Sequence, residues 1–217
     1  ILDQLIELRA SVSEIEDEFW KEIKLGEIDE IIYAICGLYL EVVADDYTAC
    51  PGEELQINIE AVNRSDADVS LKRVIYKPVG VGFNYSIDLK NNQKQTLDTK
   101  VTLSSGMSYS QPYWLVDEHD LGTFNVTDQQ LVGKGENEPA VEADFMLMIN
   151  GTEFTFTRPV VYKRNDPVRG EVYRPFVITP PVMTQIEGDV FVFANHVSQE
   201  IKIDVIAGSD NRQGTLE

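Results

Sequence analysis

The chain has 217 residues, with 37 acidic and 18 basic side chains, so its formal charge is −19 at pH 7. Nucleic acids and anionic membranes both attract clustered lysine and arginine, and this acidic balance therefore argues against either partner. Hydrophobic residues make up 43% of the chain, as in a globular protein, and the longest apolar run, residues 31–40, is far shorter than the ~20 residues that span a bilayer.

The first 37 residues have the rhythm of amphipathic helices, and we call them the helical lead. Apolar residues recur at spacings of three and four, with acidic residues between them. These apolar positions are Leu5, Leu8, Val12, Ile15, Phe19 and Ile23. Gly26 fits a helix C-cap, so we predict that one helix ends there and that a short second helix follows over residues 27–36. Two helices of this size cannot bury their apolar stripes on each other alone, and we expect them to dock on another surface.

From residue 38 onward the hydrophobic period changes to two, which is typical of half-buried strands. We predict strands at residues 39–44, 55–61, 69–76, 83–89, 97–103, 145–149, 154–156 and 160–163. Asn150-Gly151 is the strongest hairpin signal, and Asn91-Asn92 predicts a second hairpin turn. About eight short strands separated by turns indicate a mainly β fold. We expect an antiparallel, immunoglobulin-like β-sandwich over residues 38–165.

Two stretches fit this sandwich poorly. Residues 104–139 lack periodicity, and we predict a long irregular crossover with a short strand or two near residues 124–132. Residues 166–217 contain about three further strands, which cannot close a core of their own. We therefore expect a partial second β domain over 166–217, and both ends of the chain look cut.

Residue types that carry catalysis or bind metals are scarce. The histidines are His119 and His196, and the neighbours of His119 on a loop would point apart rather than close on one ion. His196 lies in a turn between two expected strands. The sequence contains no nucleophile-elbow motif. We therefore predict no catalytic residue, no cofactor and no metal ion in this chain.

The cysteines and asparagines have ordinary structural explanations. The chain has two cysteines, Cys36 and Cys50, which are too few for a disulfide framework. The sequence leaves open one disulfide bridge between them. The pattern around Cys36 is typical of a buried core residue. The sequence leaves open whether the protein is cytoplasmic or is periplasmic or secreted. Four Asn-x-Ser/Thr sequences match the glycosylation pattern, but these residues are also common in turns, which is the interpretation we favour. They begin at Asn63, Asn84, Asn125 and Asn150.

The most distinctive segment is residues 109–115, Tyr-Ser-Gln-Pro-Tyr-Trp-Leu. Aromatic side chains on a loop can stack on sugar rings, while Gln and Ser supply hydrogen bonds. Large aromatics are more often buried, so packing against the sandwich or a neighbouring domain is the alternative. The side chains expected to contact a ligand or a neighbouring domain are Tyr109, Gln111, Tyr113 and Trp114.

Several short segments of the sequence resemble segments of a known protein family. They are CGLYLE at 36–41, AVNRS at 61–65, YSQPYWL at 109–115, DQQL at 128–131 and DPVRGEVYRPF at 166–176. These segments resemble the region behind the catalytic domain in the long bacterial members of the PIG-L/LmbE-like deacetylases. The resemblance runs over nearly the whole chain.

The resemblance implies a role in a larger protein. The catalytic domain of that family is an α/β fold that holds zinc through an Ala-His-Pro-Asp-Asp-Glu-type motif, and this motif is absent from the present sequence. The chain would be a non-catalytic accessory region of a zinc-dependent N-acetyl sugar deacetylase, and its helical lead would dock on the catalytic domain. The alternative is a stand-alone carbohydrate-binding or surface-adhesion module that uses the aromatic segment.

Overall fold

A computed structural model of the chain describes residues 1–188, 190–193, 198 and 200–208. The protein is mainly β, with two N-terminal helices and a nearly closed β-sheet. Its residues form two compact units. Unit 1 comprises Ile1–Tyr47, Leu55–Val101 and Val141–Phe176, and unit 2 comprises Thr48–Glu54, Thr102–Ala140 and the described residues from Val177 onward.

The bounds of the elements follow in chain order. The helices are α1 (Leu2–Ser13) and α2 (Glu18–Ile35), and a 3-10 helix covers Tyr113–Leu115. The strands are β1 (Tyr39–Ala44), β2 (Thr48–Ala49), β3 (Glu54–Val62), β4 (Val69–Lys77), β5 (Val81–Asp88), β6 (Gln95–Thr102), β7 (Glu142–Ile149), β8 (Thr152–Asp166), β9 (Gly170–Pro175), β10 (Val177–Ile178), β11 (Val182–Ile186) and β12 (Ile203–Ala207).

The main sheet has the strand order β5-β4-β7-β8-β1-β3-β6, with β9 also paired to β8. The 15-residue strand β8 pairs with two different sets of neighbouring strands. Its residues 152–159 pair antiparallel with β7, whereas its later residues run parallel to β1 and antiparallel to β9. The predicted strands at 154–156 and 160–163 are therefore parts of one long strand.

Alternating side chains of this sheet build the core of unit 1. On β3, Leu55, Ile57 and Ile59 are buried, and the residues between them face outward, as the period of two predicts. The strand β7 lies between β4 and β8, and its Phe145 and Leu147 are fully buried. Burial of each such side chain stabilises the fold by roughly 2 kcal/mol.

The helices differ from the prediction in where they break. The predicted end at Gly26 is wrong, because α2 continues through this residue to Ile35. The break lies earlier, where the side chain of Asp17 caps α2 by accepting a hydrogen bond from the backbone N–H of Trp20. A glycine inside a helix costs only about 1 kcal/mol, which the burial of Ile28 and Ile32 on the next turns offsets. None of the described helices is long and apolar enough to cross a membrane.

Only one of the two predicted hairpins forms. Asn150 and Gly151 both have positive φ and join β7 to β8, as a two-residue hairpin turn requires. The hairpin at Asn91-Asn92 is wrong, since β5 and β6 lie at opposite ends of the strand order. Asn92 does turn the chain, with φ of 55°, but a turn signal does not determine which strand the chain joins next.

The irregular stretch and the C-terminal region also differ from expectation. Residues 104–140 are all described and contain the 3-10 helix but no strand, so the strands expected near 124–132 are absent. Within residues 166–217, where the sequence predicts a partial second β domain, β9 pairs with β8 and belongs to unit 1. In unit 2, β10 pairs with β2, and β11 pairs antiparallel with β12.

Candidate functional site

The predicted aromatic segment lies on a loop of unit 2 that its own hydrogen bonds hold in place. The backbone N–H of Ser110 donates to the carbonyl of Ile178 at 2.8 Å, and the N–H of Ile178 donates to the Ser110 hydroxyl at 2.9 Å. Asn137 accepts from the N–H of Tyr113 at 3.2 Å and donates to the carbonyl of Gln111 at 2.6 Å. The backbone of this loop is therefore fixed at both ends of the aromatic run.

The four predicted site residues of this loop have different environments. Tyr113 and Trp114 are half-buried and contact each other edge to face, with ring centroids 4.9 Å apart and an interplanar angle of 90°. Tyr109 and Gln111 are exposed. The structure thus brings Tyr113 and Trp114 together as a packed pair, and it leaves 49% of Tyr109 accessible on the same loop.

The helical lead carries a second surface, which includes Phe19 and Ile23 of the predicted apolar stripe. In α2, Ile28, Ile32 and the following Cys36 are buried, as expected for residues four apart on one helix face. Other large apolar side chains of α2 stay in solvent: 67% of Phe19 and 52% of Trp20 are accessible. We call this surface the outer face of α2, and it consists of Phe19, Trp20, Ile23, Ile31 and Ile35.

Acidic residues surround the outer face of α2. Residues 1–37 contain ten acidic and three basic side chains, a formal charge of −7. Each of the three cations already has an acidic partner, at 2.5 Å for Arg9–Asp29, 2.5 Å for Lys21–Glu18 and 2.8 Å for Lys24–Glu27. The ion pairs leave the surrounding charge strongly negative.

A polar cluster that the sequence did not predict lies on the outside of the main sheet. Glu41 of β1 is almost fully buried although it points away from the core. Lys163 of β8 donates to its Oε2 at 2.5 Å, and the hydroxyl of Tyr173 on β9 donates to its Oε1 at 2.7 Å. We call Tyr39, Glu41, Lys163, Glu171 and Tyr173 the Glu41 cluster. It joins three adjacent strands.

The pKa values of the Glu41 cluster follow from these bonds. Burial alone would raise the pKa of Glu41, but hydrogen bonds from Lys163, Tyr173 and Tyr39 outweigh it, and the net shift is downward. Partial burial would lower the pKa of Lys163, but its bond to Glu41 and the charge of that residue raise it. The bond to Glu41, followed by burial, raises the pKa of Tyr173 to about 12. The cluster therefore holds a charged Glu41 and a charged Lys163 at neutral pH, and we interpret it as a structural clamp.

An open cavity of about 360 Å³ lies beside a buried asparagine in unit 1, lined by residues 65–69 and 88–91. The side-chain amide of Asn63 donates to the carbonyls of Ala67 at 3.1 Å and Leu89 at 2.9 Å, and its oxygen accepts from the N–H and the hydroxyl of Ser65. Asn63 therefore fixes the two loops that border the cavity. Its burial agrees with the structural interpretation of this Asn-x-Ser sequence.

The histidine, cysteine and acidic side chains form no candidate metal site among the described residues. In the part of the chain that the structure describes, no three His, Cys, Asp or Glu side chains are grouped so that they could hold a metal ion. The ring of His119 lies 5.1 Å from that of Phe124, and its Nδ1 is 3.1 Å from the carbonyl oxygen of Asp120. His196 lies outside the described residues. Cys36 and Cys50 are both buried and free, so the bridge that the sequence left open is not formed.

Comparison with known proteins finds no relative: no protein-family model, no curated protein and no solved structure matches this chain.

Proposed function

We propose that this chain is a non-catalytic accessory module of a larger zinc-dependent, PIG-L-like deacetylase that acts on N-acetyl sugars. The module positions the catalytic domain, which would hold the zinc. The proposal takes unit 1 as an immunoglobulin-like β-sandwich, which its mostly antiparallel strand pairs and its buried apolar side chains support.

The sequence segments that resemble PIG-L-like deacetylases carry the family and substrate in this proposal, and the attachment of the helical lead to the sheet supports the positioning role. The guanidinium of Arg9 lies 4.8 Å above the ring of Phe154 on β8, and that of Arg158 lies 4.2 Å above the ring of Tyr33 on α2. Tyr33 also contacts Phe156 edge to face, with ring centroids 5.1 Å apart. A helical lead held by buried residues and cation–π contacts would orient a neighbouring domain, whereas a flexible linker would only tether it.

The full-length protein tests this proposal. We expect its coding sequence to contain an Ala-His-Pro-Asp-Asp-Glu-type motif before Ile1. We also expect the full-length protein to release acetate from N-acetylglucosamine derivatives in a zinc-dependent reaction. The 217-residue chain is the matched control, and we expect it to show no turnover with or without zinc. A reading frame without such a motif, or turnover by the chain itself, contradicts the proposal.

A stand-alone carbohydrate-binding module is the second candidate function. The half-exposed ring of Tyr109 favours it, because this ring lies on a loop that hydrogen bonds hold in place, and an ordered aromatic surface suits a sugar ring. Titration with N-acetylglucosamine oligomers tests it. Binding that is lost in Tyr109→Ala and Trp114→Ala, but kept in Phe124→Ala as an exposed control on the same long loop, supports this second function.

A further inference from the structure

We propose that the outer face of α2 is a protein-docking surface, and that its partner is an apolar groove bordered by lysine and arginine. Resting on the proposed function, we assign this groove to the catalytic domain of the same protein. The sequence predicts that the apolar stripe of the helical lead docks on the catalytic domain, and this stripe includes Phe19 and Ile23. We narrow the docking surface to α2, where Phe19 and Trp20 are the most exposed of the large apolar side chains.

The apolar character of this face is the first argument. Phe19 and Ile23 are four residues apart, and so are Ile31 and Ile35, so the two members of each pair are neighbours on the surface of α2. The rings of Phe19 and Trp20 meet edge to face, 5.4 Å between centroids, at the start of the helix. Exposed aromatic and aliphatic side chains that lie close together mark interaction sites, and Trp is among the strongest contributors to binding energy.

The charge around this face determines which partner fits. With a formal charge of −7 on the helical lead and all three of its cations paired, a second copy of this chain would bring like charges together. An anionic membrane would be repelled for the same reason. An apolar groove with lysine and arginine at its edges would match both the apolar side chains of this face and the acidic residues around it. We therefore assign such a groove as the partner.

Side-chain oxidation by hydroxyl radicals, read out by mass spectrometry, tests the proposal. We expect Trp20 and Phe19 to be oxidised at least fivefold more slowly in the full-length protein than in the 217-residue chain. Phe124 of unit 2, which is 55% exposed, is the internal reference, and its rate should change less than twofold. Raising the ionic strength should increase the oxidation of Trp20 in the full-length protein, because salt screens the attraction between acidic and basic residues.

A variant on the same face separates docking from a local change of structure. Ile31→Glu adds a charge to an exposed position of the outer face, and we expect it to restore fast oxidation of Trp20 in the full-length protein without a loss of helical circular dichroism. Val168→Glu changes an equally apolar, exposed residue in the turn between β8 and β9, and it should leave the protection of Trp20 unchanged.

The outcomes separate this inference from the proposed function. An active zinc deacetylase in which Trp20 is oxidised as fast as in the 217-residue chain overturns the docking surface and leaves the proposed function standing. A full-length protein without deacetylase activity overturns the proposed function, and the protection of Trp20 in that protein then reports whether the face is covered. Dimerisation of the 217-residue chain that Ile31→Glu abolishes assigns the face to a second copy and overturns the partner that we propose.

Discussion

The hydroxyl group of Tyr76 on β4 lies 2.8 Å from the hydroxyl group of Thr99 on β6, and both side chains are buried. These strands are far apart in the sheet, because β4 is second from one end of the strand order and β6 is at the other end. The bond therefore crosses the core and connects the two ends of a sheet that folds back over itself.

Replacing Tyr76 by phenylalanine should weaken the fold. The variant leaves the Thr99 hydroxyl buried without its partner, which costs about 1–2 kcal/mol. Burial also raises the pKa of Tyr76, which agrees with a neutral hydroxyl that can donate or accept this bond. We expect the free energy of unfolding in urea to fall by that amount.

Tyr85→Phe is the matched control on β5. The Tyr85 hydroxyl is buried and has no hydrogen-bond partner, and burial raises its pKa. Removing an unsatisfied hydroxyl should leave the free energy of unfolding unchanged or raise it by up to about 1 kcal/mol. Equal losses in the two variants would show that the Tyr76–Thr99 bond contributes nothing specific.

Two glycines of the helical lead should respond in opposite ways to alanine. Gly37 connects α2 to β1 with φ of 53°, and a Cβ there would lie 2.9 Å from the Cβ of Arg64. Gly37→Ala should therefore cost about 2 kcal/mol. Gly26 lies inside α2 with no atom within 4 Å of an added Cβ, and Gly26→Ala should stabilise the protein by about 0.5–1 kcal/mol. Thermal unfolding followed by circular dichroism measures both changes, and a loss in Gly26→Ala would favour a helix end at that residue.

The Glu41 cluster should make stability depend on pH below about 5. Since the pKa of Glu41 is lower in the folded protein than its ordinary value of 4.5, the ionised carboxylate stabilises the fold above that value. This stabilisation is lost as the pH falls from about 4.5 through the lower folded-state pKa. Glu41→Gln should reduce the free energy of unfolding by about 2 kcal/mol at pH 7, and its difference from the unchanged protein should shrink towards pH 3.

Glu171→Gln is the control for this pH dependence. Its carboxylate is more exposed and lies 3.7 Å from Lys163, so its loss should change the free energy of unfolding by less than about 0.5 kcal/mol. Urea unfolding at pH 3, 5 and 7 compares the two variants. A Glu41→Gln difference that stays constant over this range would show that ionisation of Glu41 does not stabilise the fold.

Asn63→Ala should destabilise unit 1 by about 2–3 kcal/mol. The change removes the donor to the carbonyls of Ala67 and Leu89 and the acceptor for Ser65, in a position that is 1% exposed. Asn84→Ala, on an exposed position of β5, should change stability by less than about 0.5 kcal/mol. Chemical denaturation provides the comparison, and similar losses in both variants would contradict the buried role of Asn63.

Local structure followed well from the sequence, because it depends on local period and turn chemistry. The strand at 39–44 and the Asn150-Gly151 hairpin lie where the pattern predicted them. The pairing of the strands could not be predicted from the sequence, since Asn91-Asn92 indicates a turn but not the partner of the next strand. The predicted helix end at Gly26 is wrong because packing on a sheet can outweigh the local cost of a glycine in a helix.

The surfaces were harder to predict for the same reason. Glu41 is more than a hundred residues from Lys163 and Tyr173 in the chain, and only the pairing of β1, β8 and β9 brings the three together. In the helical lead, period alone identified apolar residues but could not tell which of them the sheet would cover. The positions of Tyr109 and Trp114 on a loop were predicted, and their role stays a prediction.

The double use of β8 has a consequence for how unit 1 unfolds. The hydrogen-bond ladder from β5 to β6 passes through β8, whose first part holds β7 and whose later part holds β1 and β9. Separating this strand would divide the ladder into a β5-β4-β7 piece and a β1-β3-β6 piece, each open along a newly exposed edge. The two pieces therefore share one cooperative transition, and amide hydrogens on both sides of β8 should exchange with the same limiting free energy.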